Sequence, residues 1–193
     1  MRIISGKLKG HKLISPTNNK IRPTSDRARE MIFSTLESIL IKENSSLKNK
    51  TVLDGFCGSG AIGIEAMSRG AKSVFFADIS QKSIDLTKMN CLKVKLCDFI
   101  TIQKIDLTTY DYKNVIFDIF FLDPPYSKKI TDEVMERLML NRSIKSGSIG
   151  IIETKSDDEI KIRNNISVLT KKKISSSHFK FLKINLSSKF FFN

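Results

Sequence analysis

The chain has 193 residues, of which 40% are hydrophobic, and it contains no long uninterrupted apolar segment. This length suits one domain with a sizeable core, and the composition predicts a soluble rather than a membrane-spanning protein. The sequence begins without a signal-peptide pattern, so we expect a cytoplasmic protein without a membrane partner.

Cysteine and histidine residues are too few and too scattered to suggest a metal centre. Cys57, Cys91 and Cys97 lack the spacing of a zinc site, and His11 and His178 are the only histidines. We therefore expect no metal, and free thiols that are buried or half-buried.

The net charge of +13 is concentrated at the two ends of the chain. Residues 1–30 carry eight basic and two acidic side chains, and residues 155–193 carry nine basic and three acidic ones, whereas residues 31–154 are nearly neutral. A polyanion bound by both ends would explain this distribution, and solvated lysine-rich surfaces would explain it equally well. Combined with the motif of the fourth strand described below, the charge favours nucleic acid as the partner.

The N-terminal residues predict a hairpin followed by a helix. Residues 2–14 alternate apolar with basic or small groups around Gly6 and Gly10, which indicates a short β-hairpin with a basic outer face. An ordinary edge hairpin with protective lysines would show the same pattern. Thr24 or Ser25 can cap the helix. Its apolar side chains recur at helical spacing: Ala28, Met31, Ile32, Thr35, Leu36, Ile39 and Leu40.

Three arginines, Arg22, Arg27 and Arg29, lie before or within the first turn of this helix. The helix dipole prefers anions at that end, so cations there are unfavourable. We interpret this misfit as a sign of an anionic partner.

The next predicted strand, Thr51–Asp54, runs into a glycine-rich turn and a helix from Ala61 to Arg69. Gly58 and Gly60 let the backbone approach a ligand closely. The Gly-x-Gly-x-x-Gly pattern also fits dinucleotide binding. Asp54 argues against that ligand, because its carboxylate would repel a pyrophosphate but pair with the ammonium group of S-adenosylmethionine. A turn without any ligand is the alternative.

The second and third predicted strands also end next to acidic residues. Ser73–Asp78 places Asp78 where a ribose-binding carboxylate is expected, although this residue could also cap the following helix. Phe99–Ile105 is followed by Asp106, which could accept a hydrogen bond from an adenine amine. Asp98 competes with Asp106 for this role.

The fourth predicted strand, Phe117–Leu122, ends in Asp123-Pro124-Pro125-Tyr126. The prolines fix the backbone and end the strand, so that their carbonyl groups have no hydrogen-bond donor on a neighbouring strand. The Asp123 carboxylate and the Pro124 carbonyl suit the two hydrogens of a planar amine, and Tyr126 would stack on its ring. A strand-ending loop with an exposed tyrosine is the structural alternative. The tetrapeptide resembles the motif of S-adenosylmethionine-dependent amino-methyltransferases.

The remaining residues predict a helix from about Thr131 to Leu140, a fifth strand at Ser148–Glu153, and a final hairpin. The hairpin strands are Ile166–Thr170 and Ile174–Leu186, with Lys171–Lys173 near the turn. Strand–helix alternation followed by a hairpin predicts an α/β, Rossmann-like fold: a doubly wound, mostly parallel sheet whose last strand is antiparallel. We expect a single domain over residues 1–193, with 1–45 as a hairpin–helix extension and 46–193 as the Rossmann-like core.

Almost the entire chain resembles the RsmD-type 16S rRNA (guanine-N2)-methyltransferases, which have the class I methyltransferase fold. The resemblance rests on these stretches: Arg2–Gly6, Gly10–Leu13, Arg22–Glu30, the glycine loop, Ser68–Ala71 and Phe121–Tyr126. Gly55 and Cys57 stand where the family has leucine and alanine, and Asp78 stands where it has glutamate. None of these departures removes a needed chemical group. The C-terminal tail matches least.

The resemblance implies methylation of a guanine N2 amine in 16S rRNA of the small ribosomal subunit by an enzyme that uses S-adenosylmethionine. Separately, we expect a monomer. We assign catalysis to Asp123, Pro124 and Tyr126. We assign cofactor binding to Asp54, Phe56, Gly58, Gly60, Asp78, Ile79, Asp106 and Asp123. We assign substrate binding to Arg22, Thr24, Arg27, Pro125 and Tyr126.

Four other functions are compatible with parts of this pattern. A DNA methyltransferase acting on adenine N6 or cytosine N4 shares the Asp-Pro-Pro-Tyr motif, but this short chain lacks room for a target-recognition region. A glutamine-amide methyltransferase is opposed by the basic ends. A non-catalytic RNA-binding ribosome-assembly factor is opposed by the intact Asp54, Gly58, Gly60 and Asp123. A NAD-dependent enzyme is opposed by Asp54 and the Pro-Pro turn.

Overall fold

A computed structural model describes residues 1–16, 24–112, 114–124, 128–154 and 165–186 of the chain. The chain divides into two units, Met1–Asp106 and Leu107–Asn193. The single domain with a 1–45 extension stays a proposal. In the described part of the chain, no helix combines the length and apolar character needed to cross a membrane.

The first unit is built from parallel strands joined by helices. Its elements are α1 (Asp26–Lys42), β1 (Thr51–Gly55), α2 (Ala61–Ser68), β2 (Ser73–Asp78), α3 (Gln81–Lys93) and β3 (Ile100–Lys104). The strands lie in the order β3-β2-β1, and both pairings are parallel. Every residue from Val74 to Asp78 is buried, which is why β2 reads as a continuous apolar run. The carboxyl ends of the three strands therefore meet at one edge.

Helix α1 begins as predicted, but its buried face differs from the predicted one. Ser25 is the N-cap, and its Oγ accepts a hydrogen bond from the Ala28 amide at 3.1 Å. Arg29 and Phe33 are buried although they were not predicted to be, and the predicted Met31, Thr35 and Ile39 are only half-buried. The buried set of the helix is Ala28, Arg29, Ile32, Phe33, Leu36 and Leu40.

The predicted N-terminal hairpin is reduced to one antiparallel bridge between Arg2 and Lys12. The residues between them form turns rather than strands. The reason is that the amides of Ile4, Ser5 and Leu8 donate to side chains of α2 instead of to a facing strand.

The second unit combines one parallel pairing with a terminal antiparallel hairpin. Its elements are β4 (Phe117–Leu122), α4 (Lys128–Leu140), β5 (Ile144–Thr154), β6 (Ile166–Ile174) and β7 (Ser177–Ile184). The strands lie in the order β4-β5-β7-β6. The β4–β5 pairing is parallel, whereas β7 is antiparallel to both β5 and β6, as predicted for the last strand.

The structure corrects the predicted boundaries of the hairpin. Lys171–Lys173 lie within β6 and pair with β7, and the turn consists of Ser175 and Ser176. Strand β6 thus continues to Ile174, because its lysines extend into solvent while the backbone stays in the ladder. Strand β7 ends at Ile184.

Candidate active site

The glycine loop, residues 56–60, joins β1 to α2 and requires unusual backbone geometry. Phe56, Gly58 and Gly60 have φ values of +61°, +55° and +73°, respectively. A β-carbon on Gly60 would lie 2.8 Å from the methyl group of Thr87, so this position lacks space for any side chain. Phe56 is half-buried and adopts a conformation that bulky residues rarely tolerate. Such geometry is typical of a turn shaped for a ligand.

Two carboxylates on adjacent parallel strands accept hydrogen bonds from the glycine loop and from the helix that follows it. Asp78 accepts hydrogen bonds from the amides of Gly58 at 3.0 Å and Ser80 at 2.8 Å. Asp54 accepts a hydrogen bond from the amide of Gly63 in α2 at 2.8 Å. Both carboxylates are largely buried. The predicted capping role of Asp78 is wrong, because the Oγ of Ser80 caps α3.

Helix α3 contributes two buried polar side chains that the sequence analysis did not assign to the site. Thr87 Oγ1 donates to the Gly58 carbonyl at 3.2 Å. Asn90 Nδ2 donates to the carbonyls of Ser59 at 2.9 Å and Ile14 at 3.1 Å, and Asn90 Oδ1 accepts from the Ile14 amide at 2.6 Å. Asn90 therefore joins the glycine loop to the N-terminal segment. The sequence signal that could have identified Thr87 and Asn90 is their spacing, since they are polar residues three positions apart on a buried helix face.

The thiols near the loop carry no charge at neutral pH. Burial, together with the nearby Asp54 carboxylate, raises the pKa of Cys57 well above its usual value. Burial and Asp54 also raise the pKa of Cys91 to about 12. Buried thiols with a raised pKa are inert. Asp54 and Asp78 are thus the negative groups that this loop offers to a ligand.

The third strand places Asp106 next to the same edge. The amide of Ile105 donates to the Asp78 carbonyl at 3.0 Å, and Asp106 follows it in an exposed position. Asp98, its competitor, precedes β3 and so belongs to the opposite end of the strand. Ile79, directly after β2, is 62% exposed and is available to line a ligand.

These groups fit S-adenosylmethionine. Buried carboxylates suit its ammonium group and its ribose hydroxyls, and Asp106 suits the adenine amine. The absence of a side chain at Gly58 suits a close approach of the ligand to the backbone, whereas at Gly60 it accommodates Thr87 of α3. The roles of the individual residues stay predictions.

In the second unit, Asp123 and Pro124 directly follow β4. Asp123 is exposed, whereas Pro124 is buried. Pro125, Tyr126 and Arg22 lie outside the described residues, as does the 187–193 tail. Arg27 is exposed on the first turn of α1, and the half-buried Thr24 accepts a hydrogen bond through its carbonyl from Arg29.

The interpretation of Arg29 as a contact for an anionic partner is wrong. Its side chain is fully buried and donates to the Arg2 carbonyl at 2.5 Å and to Asp26 Oδ1 at 2.7 Å. Burial lowers the pKa of this guanidinium, and the Coulombic attraction of Asp26 and Glu65 partly offsets that effect. Arg29 holds the N-terminal segment instead of facing solvent.

We define the N-terminal anchor as four side chains that hold the N-terminal segment: Arg29 of α1, Glu65 and Ser68 of α2, and Arg69 directly after α2. Glu65 accepts hydrogen bonds from the amides of Ile4 and Ser5 at 2.8 and 3.0 Å, and from Arg69 Nε at 2.8 Å. Ser68 Oγ donates to the Ser5 carbonyl at 2.5 Å. The anchor fixes the backbone that carries the N-terminal lysines.

No cluster of three or more potential metal ligands occurs within the described ranges. The expected absence of a metal stays a prediction.

Comparisons with known proteins place these features in a family. The family model described as "Conserved hypothetical protein 95" matches residues 1–183. A Haemophilus influenzae protein named "Ribosomal RNA small subunit methyltransferase D" is 30% identical over 176 residues, or 89% of this chain and 88% of that protein. A protein of the same name from Buchnera aphidicola subsp. Acyrthosiphon pisum is 33% identical over 178 residues, or 90% and 87% of the two chains.

A solved structure shows the same fold. The putative methyltransferase yhhF from Escherichia coli superimposes with a TM-score of 0.82 at 22% identity, covering 97% of this chain and 99% of that one. The predicted class I methyltransferase fold is thereby confirmed. This chain belongs to the RsmD-type methyltransferase family, whose model carries the description "Conserved hypothetical protein 95".

Proposed function

We propose that this protein transfers a methyl group from S-adenosylmethionine to the N2 amine of a guanine in 16S rRNA of the small ribosomal subunit. The observation that carries the proposal is the pair of buried carboxylates on adjacent strands, Asp54 and Asp78, which accept amide hydrogen bonds from α2 and from the glycine loop, respectively. The names of the relatives support ribosomal RNA as the substrate. The enzyme acts as a monomer in the cytoplasm and needs no metal.

The first unit supplies the cofactor residues. Asp54 pairs with the ammonium group, Asp78 with the ribose hydroxyls and Asp106 with the adenine amine. The other lining residues are Phe56, Gly58, Gly60 and Ile79. When bound, S-adenosylmethionine supplies an electrophilic methyl group on a sulfonium centre.

The second unit supplies the residues for the target amine. A guanine N2 amine is a poor nucleophile, because its lone pair is delocalised into the ring. Asp123 and the Pro124 carbonyl accept its two hydrogens and orient the lone pair, which is catalysis mainly by alignment with electrostatic support. The nitrogen would gain the methyl group as the carbon–sulfur bond breaks and S-adenosylhomocysteine leaves, and it would lose one proton to solvent water. Asp123 is exposed at the end of β4 and is therefore accessible to a base.

The remaining substrate residues act on the base and the RNA around it. Tyr126 stacks on the guanine once it leaves its helix, which offsets a flipping cost of about a few kcal/mol. Arg22, Thr24, Arg27 and Pro125 bind the surrounding RNA.

The experiment that tests the proposal measures transfer of a labelled methyl group to small ribosomal subunits that lack the modification. Wild type should label the subunits, and Asp123→Ala should lose about 100-fold or more of this activity. Cofactor binding by Asp123→Ala should stay largely intact and weaken far less than methyl transfer, because Asp54, Asp78 and Asp106 remain to bind the cofactor. Asp118→Ala, on the same strand, is the matched control, because Asp118 pairs with Lys145 at 2.8 Å and has no proposed catalytic role.

Each outcome distinguishes a different function. Normal turnover of Asp123→Ala would remove this residue from the mechanism. Labelling of DNA instead of subunits would favour the adenine-N6 or cytosine-N4 enzymes. Cofactor binding by wild type without transfer to either nucleic acid would favour a protein substrate or an assembly role without catalysis.

A further inference from the structure

The N-terminal segment, residues 1–16, carries charge of one sign. It contains Arg2, Lys7, Lys9 and Lys12 but no aspartate or glutamate, and the first acid of the chain is Asp26. All four of these cations are exposed. We call Lys7, Lys9 and Lys12 the N-terminal lysines. The residues assigned above to catalysis, cofactor and substrate do not include them, so their role is open.

Protection of a strand edge does not account for the N-terminal lysines. That explanation fitted the sequence, because a hairpin at the edge of a sheet often carries lysines that discourage aggregation. The segment, all of which the structure describes, instead has bends and turns between the two residues of its single bridge, Arg2 and Lys12. Its amides donate to Glu65 and Ser68 of α2. Residues 4–11 thus present no strand edge that lysines would protect.

Ion pairing within the protein does not account for the N-terminal lysines either. Among the described residues, no carboxylate lies within ion-pair distance of any of the three. The first acid of the chain, Asp26, pairs with Arg2 at 3.6 Å and with the buried Arg29 at 2.7 Å. Lys12 lies opposite Arg2 in the bridge, and like charges directly opposite each other are destabilising. An anion bound at Lys12 would remove that repulsion.

The dipole of α2 explains only part of this charge. The Lys7 amide donates to the carbonyl of Ser68, the last residue of α2, at 2.8 Å, and a cation is favourable at that end of a helix. The effect is confined to the last turn of a helix. Lys12 is elsewhere, two residues before Ile14, whose amide is bonded to Asn90 of α3. A helix dipole therefore accounts for Lys7 but not for Lys12.

The N-terminal segment runs beside α2 and reaches the glycine loop. At the carboxyl end of α2, the Leu8 amide donates to Ser68 Oγ at 3.0 Å. At the amino end, Asn90 bonds to the carbonyls of both Ile14 and Ser59, and Ser59 lies in the glycine loop. The eight residues of α2 span about 12 Å, so the segment is long enough to contact more than one phosphate. The surface that carries the lysines is thus continuous with the cofactor loop.

We propose that the N-terminal lysines bind the phosphate backbone of the RNA next to the target guanine, an inference that rests on the proposed function. Exposed lysines attract phosphates, and such contacts position an RNA without reading its sequence. Glu65 and Ser68 fix the backbone that carries the lysines, so less conformational freedom is lost on binding than with a mobile tail. The segment therefore positions the RNA, while the reacting groups lie elsewhere.

The test measures affinity for unmethylated small subunits and for naked 16S rRNA over a range of salt concentrations. Each lost phosphate contact reduces the salt slope of log K by about 0.7 to 0.9. Lys9→Gln should show this reduction, and the triple variant Lys7→Gln/Lys9→Gln/Lys12→Gln should show a reduction of about 2. Lys88→Gln is the matched control, because Lys88 is an exposed lysine of α3 outside the segment. It should leave the slope unchanged.

Two further measurements separate a positioning role from a structural one. In the triple variant, the KM for small subunits should rise about tenfold or more, with kcat changed far less, because uniform binding is lost. The triple Lys→Arg variant of the same residues should keep the wild-type slope, since arginine retains the charge and binds phosphate. Cofactor affinity and the thermal midpoint of all variants should equal those of wild type.

The outcomes distinguish this inference from the proposed function. An unchanged salt slope in the triple Gln variant, with wild type binding and methylating its substrate, would overturn the role of the N-terminal lysines but leave the proposed function intact. Equal losses in Lys9→Gln and Lys88→Gln would also overturn that role, since they would indicate diffuse attraction. So would a lower thermal midpoint in the triple Gln variant that accompanies its weaker RNA binding. Absence of RNA binding by wild type would overturn both proposals.

Discussion

The two ends of the chain carry the same excess of positive charge, but the structure uses that charge differently. In residues 1–30, Arg29 is fully buried and bonds to the Arg2 carbonyl and to Asp26. In the terminal hairpin, Lys171–Lys173 are all exposed, and neither strand carries an acid. Equal charge therefore does not mean equal function.

The difference shows that charge must be located before it is interpreted. A buried, hydrogen-bonded arginine stabilises the chain segment that it contacts, whereas exposed lysines produce an outward field. Lys7, Lys9 and Lys12 of the N-terminal segment are also exposed, but on a backbone that Glu65 and Ser68 hold in place. The N-terminal end thus combines structural and surface charge, while the hairpin presents surface charge.

The largest effect should come from breaking the N-terminal anchor at Glu65. Glu65→Ala leaves the amides of Ile4 and Ser5 without their acceptor and removes a charge that compensates buried Arg29. We expect the free energy of unfolding to fall by about 3–5 kcal/mol, measured by urea denaturation.

Glu37→Ala is the matched control, because Glu37 pairs with the same Arg69 at 3.0 Å but is 43% exposed. Loss of this ion pair should lower the free energy of unfolding by about 0–1 kcal/mol. If Glu65→Ala and Glu37→Ala lowered the free energy of unfolding equally, the anchor would not stabilise the N-terminal end.

A smaller effect should separate two glycines of the N-terminal segment. Gly6 and Gly10 have φ values of +80° and +85°, so an alanine at either position is strained by about 1–2 kcal/mol. A β-carbon on Gly6 would also collide with the Ser68 carbonyl, whereas one on Gly10 would meet open space. Gly6→Ala should therefore lower the thermal midpoint more than Gly10→Ala. The reverse order would show that the segment does not pack on α2 as described.

An effect of similar size on stability should come from Asn90→Ala. This change removes three hydrogen bonds to the backbone of Ile14 and Ser59, and should cost about 1–3 kcal/mol. Hydrogen exchange at the Ile14 amide should accelerate, and cofactor affinity should weaken, because the glycine loop loses a tether. Met89→Ala, an exposed neighbour on α3, should change neither quantity. If Ile14 exchange were unchanged, Asn90 would not link the two segments.

Local patterns were sufficient to predict β2 and β4 and the acidic residues at their ends. Ser73–Asp78 and Phe117–Leu122 are contiguous runs rich in β-branched and aromatic residues, and their observed bounds match the predicted ones. The glycine loop was predictable for the same reason, because Gly58 and Gly60 mark a backbone that other residues rarely adopt.

The polar interior of the first unit was not predictable, because its partners are far apart in sequence. Glu65 bonds to amides about sixty residues earlier in the chain, so no local pattern reveals that it is buried. Arg29 was misinterpreted as a surface charge for the same reason. The lysines of β6 were placed near a turn, because lysine is depleted in strands, yet the backbone pairing with β7 determines the structure there.

The most direct test of the central claim is the identity of the methylated nucleoside. Unmodified small subunits are incubated with the protein and S-adenosylmethionine, and the rRNA is digested and examined by mass spectrometry against nucleoside standards. We expect N2-methylguanosine in 16S rRNA, formed by wild type but not by Asp123→Ala. A different methylated nucleoside, or a methyl group found only in DNA or protein, would contradict it.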